Sequence, residues 1–142
     1  MSRRYLHLPP DSRPPDFDSV PRRIVVIADC EVHREWMSHI ATWLVDAGAL
    51  YVITWGIACE DWHDAVDWAL LKIFDYGPIP DEKHIMTTWH SNEPVEEAFW
   101  FAGHSAFHPT EELVETLILD VSPANREAAI MESYSKAQVC DE

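Results

Sequence analysis

A chain of 142 residues in which short, β-branched apolar runs alternate with amphipathic stripes of helical period is predicted to fold as an α/β domain. Three observations carry this reading. Four strand-to-helix units follow one another through short linkers, which calls for parallel strands joined by right-handed crossovers. The strand candidates are continuous apolar runs, as in strands covered on both faces. The composition, 47% apolar and 25% charged, is that of an ordinary globular protein. The expected architecture is a three-layer, doubly wound sheet of about four parallel strands.

Each element has its own signal. Ile24-Val25-Val26-Ile27-Ala28 reads as a buried strand, and Trp36, Ile40, Trp43, Leu44 and Ala47 make one helical stripe that Gly48 closes. Tyr51 to Trp55 repeats the strand. Trp62, Ala65, Val66, Ala69, Leu70, Ile73 and Phe74 repeat the stripe, starting near Asp61 and stopped by Gly77-Pro78. Ile85 to Trp89 is the third strand. Asn92, with Pro94 just inside, opens a third helix that buries Val95, Phe99 and Ala102, with Gly103 past its end. After a short helical turn from Thr110, Leu117-Ile118-Leu119 form the fourth strand. Ser122-Pro123 reads as the N-cap and first residue of a last helix burying Ile130, Met131, Tyr134 and Ala137. By analogy with small flavodoxin- and Rossmann-like folds, the expected order of these four strands is 2-1-3-4.

Residues 1–23 read differently, as a Pro- and Arg-rich arm ahead of a single α/β domain at 24–142. They hold five Arg, three Asp and five of the ten prolines, a charge balance of +2, so residues 24–142 carry −17 of the total of −15. Within the arm only Tyr5-Leu6-His7-Leu8 alternates like a strand, and it would make an extra edge strand. A basic arm on an acidic body either lies across that body or reaches another subunit. The acidity opposes nucleic-acid and anionic-membrane binding by the body. No apolar run approaches the length of a bilayer span, and the amino terminus has no signal-like stretch, so a cytoplasmic protein is expected.

Open parallel sheets bind ligands beyond the carboxyl ends of their strands. Here those ends carry Asp29, Cys30 and Glu31; then Trp55, Cys59, Glu60 and Asp61; then Trp89, His90 and Glu93; then Asp120 and Ser122. One candidate chemistry is nucleophilic. Cys30 and Cys59 each precede a helix, His90 would be the base, and Asp29 or Glu93 would orient it. Flanking Glu31, Glu60 and Asp61 oppose thiolate formation, and small cysteines at strand ends are common packing residues. Metal-type pairs (Cys59 with His63, His104 with His108, Cys30 with His33) fall in different units, so no metal is expected. The four glycines lack phosphate-loop spacing, and no cofactor is expected. Trp55 and Trp89, with the carboxylates near them, suit a planar or cationic group.

The segment Ile24–Ala49, an apolar strand, an acidic turn at Asp29 to Glu31, a helix and an Ala47-Gly48 exit, is similar to the opening of a response-regulator receiver domain. Receivers carry a phosphoacceptor Asp at the end of the third strand, where this chain has Thr88-Trp89. The resemblance therefore implies a scaffold without the switch chemistry. Two functions fit the residues. The first is an acidic protein-binding module, of inhibitor, immunity or accessory type, steering a basic partner. The second is a small enzyme or small-molecule-binding domain using Cys30, Cys59, His90 and Glu93 for chemistry, with Asp29, Glu31, Trp55, Glu60, Asp61, Trp89 and Ser122 for binding.

Overall fold

The computed structural model describes residues 2–139, so Cys140 lies outside the described residues. Its elements are β1 (Ser2–His7), β2 (Arg22–Ala28), α1 (Arg34–Asp46), β3 (Ala49–Gly56), α2 (Cys59–Ile73), β4 (Met86–His90), α3 (Val95–His104), β5 (Glu115–Val121) and α4 (Glu127–Gln138). They form one five-stranded, all-parallel sheet with α1 and α2 on one face and α3 and α4 on the other. This is the doubly wound, flavodoxin/Rossmann-like arrangement, and the edge strand from the amino terminus is part of it.

The strand order is β1-β5-β2-β3-β4, which corrects the expected order. The expected order sets β4 beside β2, but β2 lies between β3 and β5. The physical reason is the composition of the strands. β5 is buried along its whole length and suits the centre, whereas Met86-Thr87-Thr88-Trp89-His90 is half polar and only partly covered, which suits an edge. Successive right-handed moves from β2 to β3 to β4 keep α1 and α2 on one face; α3 returns across the other and inserts β5 on the far side of β2.

The amino-terminal segment is integrated into this body. β1 pairs with β5, Tyr5 opposite Ile118 and His7 opposite Asp120. Residues 8–21 then cross the outside of α1: the Trp36 indole N–H donates to the Ser12 carbonyl (2.8 Å), that of Trp43 to the Pro15 carbonyl (2.7 Å), and Phe17 packs on Trp43. Those two tryptophans were expected in the core. The buried stripe of α1 is Met37, Ile40, Ala41 and Leu44, rotated so that Trp36 and Trp43 receive the arm instead. Arg22 and Arg23 belong to β2 and are 1% and 2% exposed. Arg22 pairs with Glu115 at 2.7 Å and donates to the Ala47 carbonyl; Arg23 donates to the Ala106 carbonyl and Thr116. Two of the five arm arginines are thus structural cations.

Helix boundaries moved where tertiary contacts overrode local caps. Pro94 is the N-cap of α3, and Asn92 sits in a left-handed turn. Gly103 lies inside that helix, where it leaves room for the Gln138 side chain, which donates to the Phe99 carbonyl (2.8 Å). α4 starts at Glu127 because residues 122–126 make a detour that carries Arg126 over the end of β5, and the buried Ser122 hydroxyl donates to the Ala124 carbonyl. The turn expected at Thr110 is irregular, and the described 3₁₀ turn is at Asp81–Lys83.

Candidate functional site

The carboxyl ends of β2 and β3 are drawn together by backbone chemistry. Gly56 has φ +104°, and a Cβ there would stand 2.2 Å from the Ala28 carbonyl oxygen, so only glycine permits this approach. The Ile57 N–H then donates to that same oxygen at 2.7 Å. Ala58 follows in the left-handed region at φ +57°, a conformation costing a Cβ-bearing residue roughly 1 kcal/mol or more. The chain turns directly into α2, which has no side-chain cap, and neither has α1 after His33. Between these two helix starts lies a cavity of about 350 Å³ whose lining includes Cys30, Glu31, Arg34, Ala58, Asp61 and Trp62.

Trp62 is the chemically conspicuous member. It is 0% exposed, and its indole Nε1 is the one buried side-chain nitrogen or oxygen without a hydrogen-bond partner among the described residues. Its ring packs edge-to-face with Trp36 at 6.2 Å, and an aromatic ring offers an N–H only a weak acceptor. Leaving such a donor unmet costs about 1–3 kcal/mol. Cys30 borders the same cavity. Burial, followed by the charges of Asp29 and Asp120, holds its thiol above the usual range, and its Sγ lies 3.6 Å from the Val121 carbonyl. That direction disfavours the thiolate, which is the nucleophilic form.

Beside the cavity, between β2 and β5, lies the point at which the connections leave for opposite faces. The residues there satisfy one another. Asp120, 0% exposed, takes 2.5 Å bonds from the Arg126 guanidinium and the Tyr5 hydroxyl; Arg126 also reaches Asp29 at 2.6 Å. The Arg126 backbone N–H donates to the Tyr5 oxygen, and the His7 ring N–H donates to the Ser122 carbonyl at 2.8 Å. Burial, reinforced by the bond to Asp120, pushes the Tyr5 phenol up to about 12. The Arg126 guanidinium is held still more firmly protonated, first by its bond to Asp120. This network ties β1, β2, β5 and the start of α4 together and fills the crevice that such folds usually leave open.

A third group lies across the sheet. The alternation of β4 turns Trp89 toward α2, its ring 4.7 Å from His63, and His90 toward α3, against Phe101. His90 contacts Glu93 at 3.1 Å, and the Trp55 indole donates to the Glu93 carbonyl at 2.7 Å. Cys59 is buried at the start of α2 on the other face. The sheet therefore separates His90 from Cys30 and Cys59, and the Cys–His arrangement considered from sequence does not assemble. Glu60 is exposed on the first turn of α2.

The histidine pairs separate as well. His63 faces Asp64 and Asp67 instead of Cys59, and these three are the set of metal-type donors that converge among the described residues. His108 is a satisfied interior residue: one ring nitrogen donates to the His84 carbonyl, and the other accepts from the Thr110 and Glu111 N–H groups.

The carboxyl edge thus gathers Cys30, Glu31 and Asp61 at the cavity, Asp29 and Ser122 at the network, and Trp55, His90 and Glu93 on the far face. Reading strand ends alone missed Trp62, Arg34, Tyr5 and Arg126. A usable signal existed for one of them: Asp120 inside an apolar strand requires a cation, and Arg126 is the first one downstream. Trp62 carried no such signal, since its place on a core stripe explains it fully until its nitrogen is located.

Fold and site together define a doubly wound α/β domain whose open cavity lies at the carboxyl ends of two adjacent parallel strands. The chain matches the family described as domain of unknown function DUF7684 over residues 3–137, and it belongs to that family. No curated protein and no solved structure matches it. Among the described residues no helix is long and apolar enough to cross a membrane.

Proposed function

We propose that this domain binds a small polar molecule in the cavity between the starts of α1 and α2. The observation that carries the reading is the cavity itself, about 350 Å³ at the carboxyl ends of β2 and β3, bordered by Cys30, Arg34 and the uncapped starts of α1 and α2. The setting supports this: the cavity is of ligand size, lies where parallel sheets take ligands, and is bordered by a left-handed Ala58. A second cavity, of about 420 Å³, lies at the opposite end of the strands beside Gly48 and Leu70, away from the carboxyl edge. The test is a screen of small polar compounds against the ¹⁵N-labelled protein, following the Trp62 indole resonance. Its selective movement by a compound is expected. A resonance that no compound moves, in a protein whose other resonances are unaffected, refutes the reading.

A second reading, capture of a basic protein partner, is favoured by the outer face of α2. There Trp68, 57% exposed, lies in a shallow groove that Asp61 and Asp64 line together with Arg34 and Lys72, on a body that is acidic as a whole. Asp64→Lys, at a residue that lines this groove and not the cavity, should abolish capture of that partner while substitution of the cavity residues Cys30 and Glu31 leaves it intact. The opposite pattern refutes it.

A further inference from the structure

We infer that the outer edge of β4 takes up an extended segment of a partner protein as an added strand, one in which basic residues alternate with β-branched ones. The inference concerns a different surface from the cavity and stands independently of it.

The sheet has two edges, and they are built differently. β1 carries Arg3 and Arg4, and both are engaged: Arg3 donates to the Ser135 hydroxyl and lies over the Tyr134 ring, and Arg4 pairs with Glu115 and lies over Phe17. Charged side chains on an edge strand, here with Pro9 and Pro10 just beyond it, are a usual means of blocking further pairing. β4 has no such device. Met86-Thr87-Thr88-Trp89-His90 holds no Lys, Arg or Pro and pairs with β3 in unbroken register, without a bulge. Backbone N–H and C=O groups of alternate residues point away from β3, and no backbone group among the described residues pairs with them there.

The two faces of that edge differ in chemistry. On the α2 side the Thr87 hydroxyl donates to Asp67 at 3.2 Å, the Trp89 ring lies 4.7 Å from that of His63, and Asp64 contacts His63 at 3.0 Å. Trp89 is 45% exposed, and no Lys or Arg pairs with Asp64 or Asp67 among the described residues. On the α3 side Met86 packs against the core cluster and His90 lies against Phe101, a less polar surface with Glu93 at its carboxyl end.

An added strand places successive side chains on opposite faces, so every second residue meets the acidic, aromatic face and the others meet the less polar one. Lys or Arg in the first set pairs with Asp64 and Asp67 and covers the Trp89 ring. Val, Ile or Thr in the second set packs beside Met86 and His90. A second copy of this chain is a poor occupant. Its β4 would bring the same carboxylates against these, between bodies of net charge −15, and its β1 arginines are held by its own side chains.

The experiment adds the capped peptide Thr-Lys-Val-Lys-Val-Lys-Thr to the ¹⁵N-labelled full chain and follows the backbone amides of residues 86–90 and the Trp89 indole. These should shift, and the amides should gain protection from hydrogen exchange. The counterpart with Glu in place of Lys should bind at least about tenfold more weakly. Methylating the backbone nitrogens of the Lys residues in one peptide, and of the Val residues in another, should abolish binding by one and spare the other, since only alternate N–H groups of the peptide face β4. Asp67→Lys, at a residue outside the Trp68 groove, should weaken the Lys peptide about tenfold, and Asp67→Asn, which keeps an acceptor for Thr87, by a smaller factor. No response of residues 86–90 at ~1 mM peptide, an equal response to the Glu peptide, or equal binding of the two methylated peptides overturns the added strand. So does a shift confined to Trp68, which places the peptide in the groove on α2, and so does a chain that sediments as a dimer with residues 86–90 protected before any peptide is added.

Discussion

Replacing Arg126 with leucine should be among the most damaging single changes at the carboxyl edge, although the residue is partly exposed. The Asp120 side chain is 0% exposed and that of Arg126 34%. Removing the guanidinium deletes a 2.5 Å charge-assisted bond and leaves a buried carboxylate with the Tyr5 hydroxyl as its remaining hydrogen-bond donor among those described. Breaking a fully buried pair from one side costs about 3–5 kcal/mol. Water can follow the exposed part of Arg126, so roughly 2–4 kcal/mol is expected here. The cost comes mainly from the stranded charge, so removing that charge should recover much of it. The double variant Arg126→Leu with Asp120→Asn should be at least ~1 kcal/mol more stable than Arg126→Leu alone. Urea unfolding, followed by both tryptophan fluorescence and far-UV circular dichroism so that two-state behaviour is checked, measures this directly. An Arg126→Leu cost below ~1 kcal/mol, or a double variant no more stable than the single, would refute the stranded-charge argument.

Three further outcomes follow from the same geometry. Tyr5, with its phenol raised to about 12, stabilises the fold in its neutral form. The unfolded chain loses that proton first, near pH 10, so stability is flat below that and falls as pH rises from 10 toward 12, by ~1–2 kcal/mol after allowance for solvent screening. Tyr5→Phe should cost ~1–3 kcal/mol at pH 7 and progressively less above pH 10, as pH-dependent urea unfolding would show; a constant cost contradicts the linkage. Gly56→Ala forces a Cβ against the Ala28 carbonyl at a positive φ and should destabilise by at least ~2 kcal/mol in thermal unfolding, whereas Gly77→Ala should change little. His90→Ala should leave the Trp62 indole resonance and any cavity ligand's affinity unchanged, since the sheet lies between them; a large effect would show that the two faces communicate.

How much of this was legible depended on whether the signal was local. The apolar run at Ile24–Ala28 and the helical stripe around Trp62 report their own burial, because the period of a strand or helix is set by the backbone within a few residues. All-parallel layering followed from the same alternation. Strand order is not local. β5 lies between β1 and β2 because its apolar length needs two neighbours, and the polar edge of β4 does not, a comparison that becomes decisive only when all five strands compete for places. Trp36 and Trp43 illustrate the same limit within a helix. Both sit near the apolar stripe, and their indole nitrogens turned outward to hold residues 12 and 15 of an arm that sequence distance makes remote.

The candidate site divides in the same way. That function should be sought at the carboxyl ends of the strands follows from the order of elements along the chain, and Cys30, Glu31 and Asp61 were identifiable on that ground. Which of the strand-end residues share a space was decided by the tertiary structure, because side chains one residue apart on a strand point to opposite faces. That alternation sends Trp89 to α2 and His90 to α3, and so dissolves the Cys–His pairing. The sequence by itself determined the layered α/β class, the acidic body and the strand-end edge at which a site is sought. Only the tertiary structure decided the strand order, the closure of the central crevice by Arg126 on Asp120, and the unmet indole N–H of Trp62, because each depends on the position of an atom relative to partners far away in the chain.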